Sequence, residues 1–248
     1  MDLTDRVAIV TGAGRGIGRA IAEKMAEHGS RLVVADVDVE NAADVVEGLN
    51  GLGYEAEAVE VDVTNQSSVD RLAKGAMDRF GQIDILVNNA GIIGAPGWED
   101  RAESNDRDWD MIYDVNVRGV ARVTESAATH MKRCKYGKIV NIASVAGRRG
   151  SPNNPPYHAS KAGVISLTQA NALGLAPFNI NVNAICPGLL WTPMWERIAT
   201  RTTGLDVSSA GLTPRQAFEA SVAREIPMGR EQTPEDIAYL AVVLASGY

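Results

Sequence analysis

The stretch Val7-Ala8-Ile9-Val10-Thr11-Gly12-Ala13-Gly14-Arg15-Gly16-Ile17-Gly18 decides the fold. It opens on four consecutive apolar residues, the pattern of a parallel strand covered on both faces. Glycines follow at 12, 14, 16 and 18, and a helical pattern with Ile17, Ile21 and Met25 on one face comes next. Gly29 is placed to stop that helix. Leu32-Val33-Val34-Ala35 then reads as a second strand ending at Asp36. Strand, glycine turn, helix and strand within about 30 residues make one βαβ unit. In this context the glycines permit a tight turn and let backbone N–H groups approach a pyrophosphate, with the helix N-terminus adding partial positive charge. A glycine-rich turn without a ligand is the plainer alternative. Gly12, Arg15, Gly16, Ile17 and Gly18 are the candidate cofactor contacts here.

Asp36 follows the glycines by about 20 residues, where a carboxylate can accept bonds from the adenosine ribose hydroxyls. It would also repel a 2′-phosphate, which favours NAD over NADP. Arg15 pulls the other way, since a basic residue in the loop could meet a phosphate.

Outward from this unit, the alternation continues. Helices are expected from about 40 to Gly51 or Gly53, from a Thr64 cap to Phe80, and from Asp108 to Arg133. Strands are expected at 58–63, 83–87, 138–142 and 180–185, with 91–105 as loop. A helix carrying Tyr157 runs to about Ala176 after the irregular Pro152–Pro156 segment, since proline removes donors and constrains its neighbour. Thr233 followed by Pro234 caps a last helix through Ala245. Strands alternating with helices predict an α/β single-domain Rossmann fold over 1–248: a doubly wound parallel sheet with helices on both faces. Pro187 to about Thr213 reads as a long insertion with some helix, and about 188–228 is expected to form a substrate lid.

Net charge is −7, with acids spread along the chain, which argues against a nucleic-acid surface. Cys134 and Cys186 lie far apart without metal-ligand spacing, so no metal is expected and the thiols fit a reducing, cytoplasmic setting. The first residues carry no apolar signal region, and no apolar run is long enough to span a membrane.

Tyr157 and Lys161 are four positions apart, hence on one helix face. A nearby ammonium favours the phenolate and lowers the tyrosine pKa, tuning it for proton transfer. Alone, the spacing is chance-prone: a surface tyrosine beside a solvated lysine reads the same. His158 points elsewhere on the helix and is not read as a base.

Thr11-Gly12-Ala13-Gly14-Arg15-Gly16-Ile17-Gly18, Asn88-Asn89-Ala90-Gly91, Asn116, Ser144, Tyr157 with Lys161, and Pro187-Gly188 occur in this order. Together they closely resemble the classical short-chain dehydrogenases/reductases, from about Leu3 to Ser246. The resemblance implies an oxidoreductase that interconverts a secondary alcohol and its ketone. It implies Tyr157 as general acid/base, Lys161 lowering its pKa and holding the nicotinamide ribose, and Ser144 on the substrate oxygen. Asn116 would hold a water that links Lys161 to solvent. Asp62 and Val63 would hold the adenine, Asn89 would back the cofactor while Asn88 braces its strand, and Pro187, Gly188, Leu190 and Thr192 would face the carboxamide end. For Ser144 a local backbone cap, and for Asn116 a bond to a neighbouring carbonyl, are the plain alternatives.

The segment after Pro187 most resembles members acting on vicinal diols, acetoin-like hydroxyketones and sugar alcohols, with Trp191, Met194 and Trp195 either walling a pocket or packing the lid. The family implies a homo-oligomer, tetramer or dimer, with a small-molecule partner. Two departures stand out. Gly174 interrupts the Tyr157 helix at a cost of about 1 kcal/mol relative to alanine. The usual seventh strand is missing from the sequence, which would leave the sixth as an edge. A 3-oxoacyl thioester reductase, a non-catalytic NAD sensor and a nucleotide-fold methyltransferase compete with the leading reading. The last explains the glycines and Asp36 but not Tyr157 and Lys161.

Overall fold

The computed structural model describes residues 1–206, 209 and 211–247. Val207, Ser208 and Ala210 of the expected lid, and Tyr248, lie outside the described residues. Six strands form one parallel sheet in the order β3-β2-β1-β4-β5-β6. The strands are β1 (Val7–Thr11), β2 (Arg31–Asp36), β3 (Ala56–Glu60), β4 (Ile85–Asn88), β5 (Gly137–Ile142) and β6 (Ile180–Ile185). Nine α-helices join and flank them: α1 (Gly16–Glu27), α2 (Val39–Gly51), α3 (Gln66–Phe80), α4 (Asp106–Tyr113), α5 (Val120–Cys134), α6 (Pro155–Leu175), α7 (Pro193–Leu205), α8 (Pro214–Glu225) and α9 (Pro234–Ala245), counted among the described residues.

Side chains alternate across a strand, so each strand feeds two cores. Ala8 and Val10 of β1 join α1, α2 and α9 on one face. Val7 and Ile9 join α3 and α5 on the other. This is the doubly wound arrangement expected, and β6 is one edge of the described sheet.

Several boundaries differ from expectation. The third strand is 56–60 rather than 58–63: it is the other edge, its middle residues are only partly buried and Glu60 is exposed, and the buried Val61 and Val63 lie beyond its end. Thr64 does not cap α3. Its N–H and hydroxyl both go to Asp62 Oδ1, and Asn65 accepts from Ser68 N–H instead. Asn105 caps α4 in a reciprocal capping box with Asp108. The helix expected over 108–133 is interrupted by a π-helical turn at Asp114–Gly119. The loop 91–105 contains a short 3-10 turn, Trp98–Asp100. Gly174 faces open space on α6. Thr233 caps α9 as expected. No helix among the described residues is long and apolar enough to cross a membrane.

Candidate active site

β1 hands directly to the glycine turn. Gly12 has φ +62, and a Cβ on Gly18 would lie 2.2 Å from the Gly12 carbonyl oxygen. Only glycine allows that approach. Asn89 braces the same turn, donating from Nδ2 to the carbonyls of Thr11 (3.0 Å) and Gly12 (2.8 Å). Thr11 Oγ1 in turn accepts from the N–H groups of Asn89 and Ala90. A Cβ on Gly16 would approach only Thr192 and Pro193, at 3.8 Å and beyond, which leaves its face of the turn roomy. A glycine turn with that opening at a helix N-terminus fits a dinucleotide pyrophosphate.

Asp36 ends β2. Its carboxylate accepts from Gly14 N–H at 2.8 Å and Asp38 N–H at 3.1 Å, which orients it beside the glycine turn. Asp62 and Val63 follow β3. Asp62 is occupied with Thr64, and Val63 packs on the π-helical turn beside Gly119. Asn88 braces the sheet, donating to Thr124 Oγ1 and Asn141 Oδ1.

A cavity of about 510 Å³ opens beyond the ends of β4, β5 and β6. It gathers Ser144, Tyr157 and Lys161 with Asn89 and Ile17. Pro187, Gly188, Leu190 and Thr192 line it too. Gly12, Arg15, Gly16, Gly18, Asp36, Asp62, Val63 and Asn116 are not among its lining residues.

Ser144 follows β5 and accepts from Ala146 N–H at 3.1 Å, the local cap anticipated for it. Its side chain also lies close enough to the Tyr157 phenol to favour the phenolate. A Cβ on Gly147 would sit 2.6 Å from the Lys161 backbone, so the Ser144 turn lies directly against α6. That close contact holds the hydroxyl of one element against the phenol of the other.

The expected lowering of the Tyr157 pKa is not found. Burial pushes the phenol up to about 12, and the Ser144 side chain opposes this only in part. Lys161 does not offset the burial: its Nζ turns to the Ile142 carbonyl at 2.8 Å and sits 5.8 Å from the Tyr157 ring centroid. Burial lowers Lys161 to about 8 from an ordinary 10.5, with the nearby Cys186 acting in the opposite sense.

A consequence can be measured. Between about pH 8 and 10.5 the folded chain has shed this proton while the unfolded chain still holds it. The unfolded state then binds more protons, so this lysine's cost to the fold, full below pH 8, disappears as pH rises. Lys161→Met has no such dependence. From pH 8 to about 9.5, below the range of Tyr157, urea midpoints are expected to move in favour of wild type relative to the variant. A constant difference refutes the lowered lysine.

Asn116 is buried on the π-helical turn, outside the cavity. Its Nδ2 donates to the Ile92 carbonyl (3.0 Å) and to Ser160 Oγ (3.1 Å), and its Oδ1 accepts from Ile92 N–H (2.8 Å). The bond to a neighbouring carbonyl is thus present.

Thr192 caps α7, accepting from Trp195 N–H at 3.3 Å. Met194 Sδ lies 3.8 Å from the Tyr157 hydroxyl. Trp195 both lines the cavity and packs edge-on against Phe218, while Trp191 packs on Phe218 away from the lining. Arg197–Glu99 tethers α7 to the 3-10 turn at Trp98. Arg201 adds bonds to the carbonyls of Arg101, Ala102 and Asn153. Gln232 escaped the sequence reading: its Oε1 accepts from Gly188 N–H at 2.6 Å and its N–H donates to the Leu189 carbonyl. No sequence signal ties it to a turn 44 residues away. No group of three or more His, Cys, Asp or Glu among the described residues could hold a metal.

The family model of short chain dehydrogenases matches residues 6–203. Galactitol 2-dehydrogenase of Agrobacterium fabrum is 39% identical over 250 residues, covering 99% of this chain and 92% of that protein. Sorbitol dehydrogenase of Cereibacter sphaeroides is 40% identical over 251 residues, with the same coverage. Among solved structures, an NAD+-bound xylitol dehydrogenase superposes with a TM-score of 0.91 at 32% identity, covering 99% of this chain and 94% of that one. An actinorhodin polyketide ketoreductase with NADPH gives 0.88 at 35% identity, covering 100% and 93%. Fold, glycine turn and relatives agree: the chain belongs to the short chain dehydrogenase family, oxidoreductases that use a nicotinamide cofactor on alcohol and ketone substrates.

Proposed function

We propose that the protein is an NAD-dependent dehydrogenase that interconverts a secondary alcohol of a diol, polyol or hydroxyketone and its ketone. The observation that carries this reading is the convergence of the Ser144 hydroxyl, the Tyr157 phenol and the Lys161 ammonium on one cavity. Tyr157 exchanges the proton of the substrate hydroxyl, and Ser144 donates to the same oxygen, where negative charge develops. Lys161 supplies positive charge beside them; an ammonium has three donors, and the Ile142 bond takes one. The bound cofactor supplies the hydride acceptor or donor. The glycine turn, Asp36, Asp62, Val63 and Asn89 hold its adenosine and pyrophosphate side, and Pro187, Gly188, Leu190 and Thr192 its nicotinamide end. Residues 188–228 close over the substrate within a single domain. The working form is a cytoplasmic homo-oligomer, tetramer or dimer.

Polyol substrates are supported by the galactitol and sorbitol dehydrogenase relatives. A 3-oxoacyl-acyl-carrier-protein reductase of Thermotoga maritima is also 35% identical over 246 residues, covering 99% of this chain and 92% of that protein. The deciding experiment follows absorbance in the NADH band with a panel of vicinal diols, hexitols and 3-oxoacyl thioesters. Turnover of a hexitol or diol with NAD is expected; turnover of the thioesters alone, or none at all, overturns the proposal.

NAD is preferred because the Asp36 carboxylate, fixed by two backbone N–H groups, would stand against a 2′-phosphate. Asp36→Ala is expected to shift the NADP-to-NAD ratio of kcat/KM upward by about tenfold or more, the repulsion of one charge pair in partly screened surroundings. An unchanged ratio overturns the preference.

A further inference from the structure

Ser160 stands between Tyr157 and Lys161 and is fully buried. Its hydroxyl donates to the Tyr157 carbonyl at 2.7 Å, so a lone pair is what it offers Asn116 Nδ2 at 3.1 Å. The second Nδ2 proton goes to the Ile92 carbonyl. A side-chain amide has two N–H donors, and both are now spent on protein. The Asn116 amide therefore has no donor left for a relay water. What it leaves beside the lysine is its oxygen: a methyl group placed on Gly91 would lie 3.3 Å from Asn116 Oδ1 and 3.6 Å from Lys161 Nζ, so both atoms border one small space. The same segment is held from the start of α6, where the buried Asn154 donates to the Ile93 carbonyl at 2.7 Å.

We infer that Ser160 is a positioning residue of the hydride-transfer site: its hydroxyl locks the Asn116 amide so that the oxygen, and not the NH2, borders Lys161. Turning the amide over would set its oxygen against the lone pairs of Ser160 and Ile92 and bring its N–H groups toward an ammonium. All three bonds of the observed orientation would be lost together. The clamp ties the segment after β4, the π-helical turn and α6 at the residue next to Lys161. The inference rests on the proposed dehydrogenase reading.

The test compares Ser160→Ala, Ser160→Cys and Ser160→Thr with wild type in steady-state oxidation of the best alcohol, alongside NADH affinity by fluorescence. Ser160→Ala is expected to lower kcat about tenfold while KM for NAD and NADH affinity stay within about twofold, because the cofactor contacts are untouched. Ser160→Thr keeps the hydroxyl and is expected to recover most of kcat. Ser160→Cys matches the shape but accepts weakly, so it is expected to resemble Ser160→Ala and stands in for it should the alanine variant not fold. Wild-type kcat in the alanine or cysteine variant, or a threonine variant no better than alanine, overturns the inference alone. A wild-type protein that turns over no alcohol overturns the parent reading and this inference with it.

Discussion

Tyr157→Phe is expected to lower kcat for alcohol oxidation by about 1,000-fold while NADH affinity stays within about threefold. The substitution removes one oxygen from the cavity wall. The phenol ring, its neighbours on α6 and the Lys161 bond to Ile142 remain. What disappears is the proton-carrying hydroxyl that lies beside Ser144 in the cavity. His158 also lines the cavity, with its Nδ1 bonded to the Arg149 carbonyl at 2.7 Å and its ring centroid 6.4 Å from that of Tyr157. Burial holds the phenol at about 12, so near neutral pH it is protonated, poised to give a proton in ketone reduction and dependent on rising pH in oxidation. Steady-state rates and fluorescence titration of NADH check the two halves of the prediction separately. Retained turnover above a few per cent refutes the assignment of Tyr157. Lost NADH affinity shows instead that the phenol belongs to the cofactor site.

The second large effect is at the opposite end of the site. Gly18→Ala places a methyl 2.2 Å from the Gly12 carbonyl and 2.4 Å from Asn89 Nδ2. Neither neighbour is a flexible side-chain end with room to retreat. The carbonyl belongs to a turn at φ +62, and the amide is bound to two carbonyls of that turn. Relief requires α1 to lift away from β1, which breaks the Asn89 bonds and spreads the N–H groups meant for the pyrophosphate. Overpacking of this kind costs about 1–3 kcal/mol. The expected result is a lower melting temperature and NADH affinity weakened by about 100-fold, the upper end of that cost at 1.4 kcal/mol per tenfold. Affinity equal to wild type excludes this turn as the pyrophosphate cradle.

The cofactor half was readable because its signals are local. The apolar run at Val7–Val10 and the glycines behind it need no knowledge of the rest of the chain. Tyr157 and Lys161 were readable as a pair for the same reason, four positions apart on one helix. What escaped reading depends on distant contacts. The π-helical turn at Asp114–Gly119 is one extra residue in a helical pattern, and hydrophobic periodicity does not register it. The raised phenol follows from burial, which the lysine drawn to the Ile142 carbonyl does not offset, and neither is visible from spacing. Gln232 and Ser160 act through partners 44 positions away. Trp191 and Trp195 could not be divided between pocket and lid from sequence: both pack on Phe218, and Trp195 lines the cavity as well.

The strand order has a kinetic meaning. Strand β1 is paired on one side with β2, through Ala8 and Leu32, and on the other with β4, through Ala8 and Ile85. The second pairing closes a chain segment of more than seventy residues. It is pinned by Asp84, which accepts from Val7 N–H at 2.9 Å and pairs with Arg6 at 3.1 Å. Every neighbouring pair in the sheet is non-local, and loop-closure entropy must be met before such contacts reward the chain. The meeting of residues 6–8 with 84–86 closes the longest of these segments, and until it forms the edge of β1 is open to pairing with other chains.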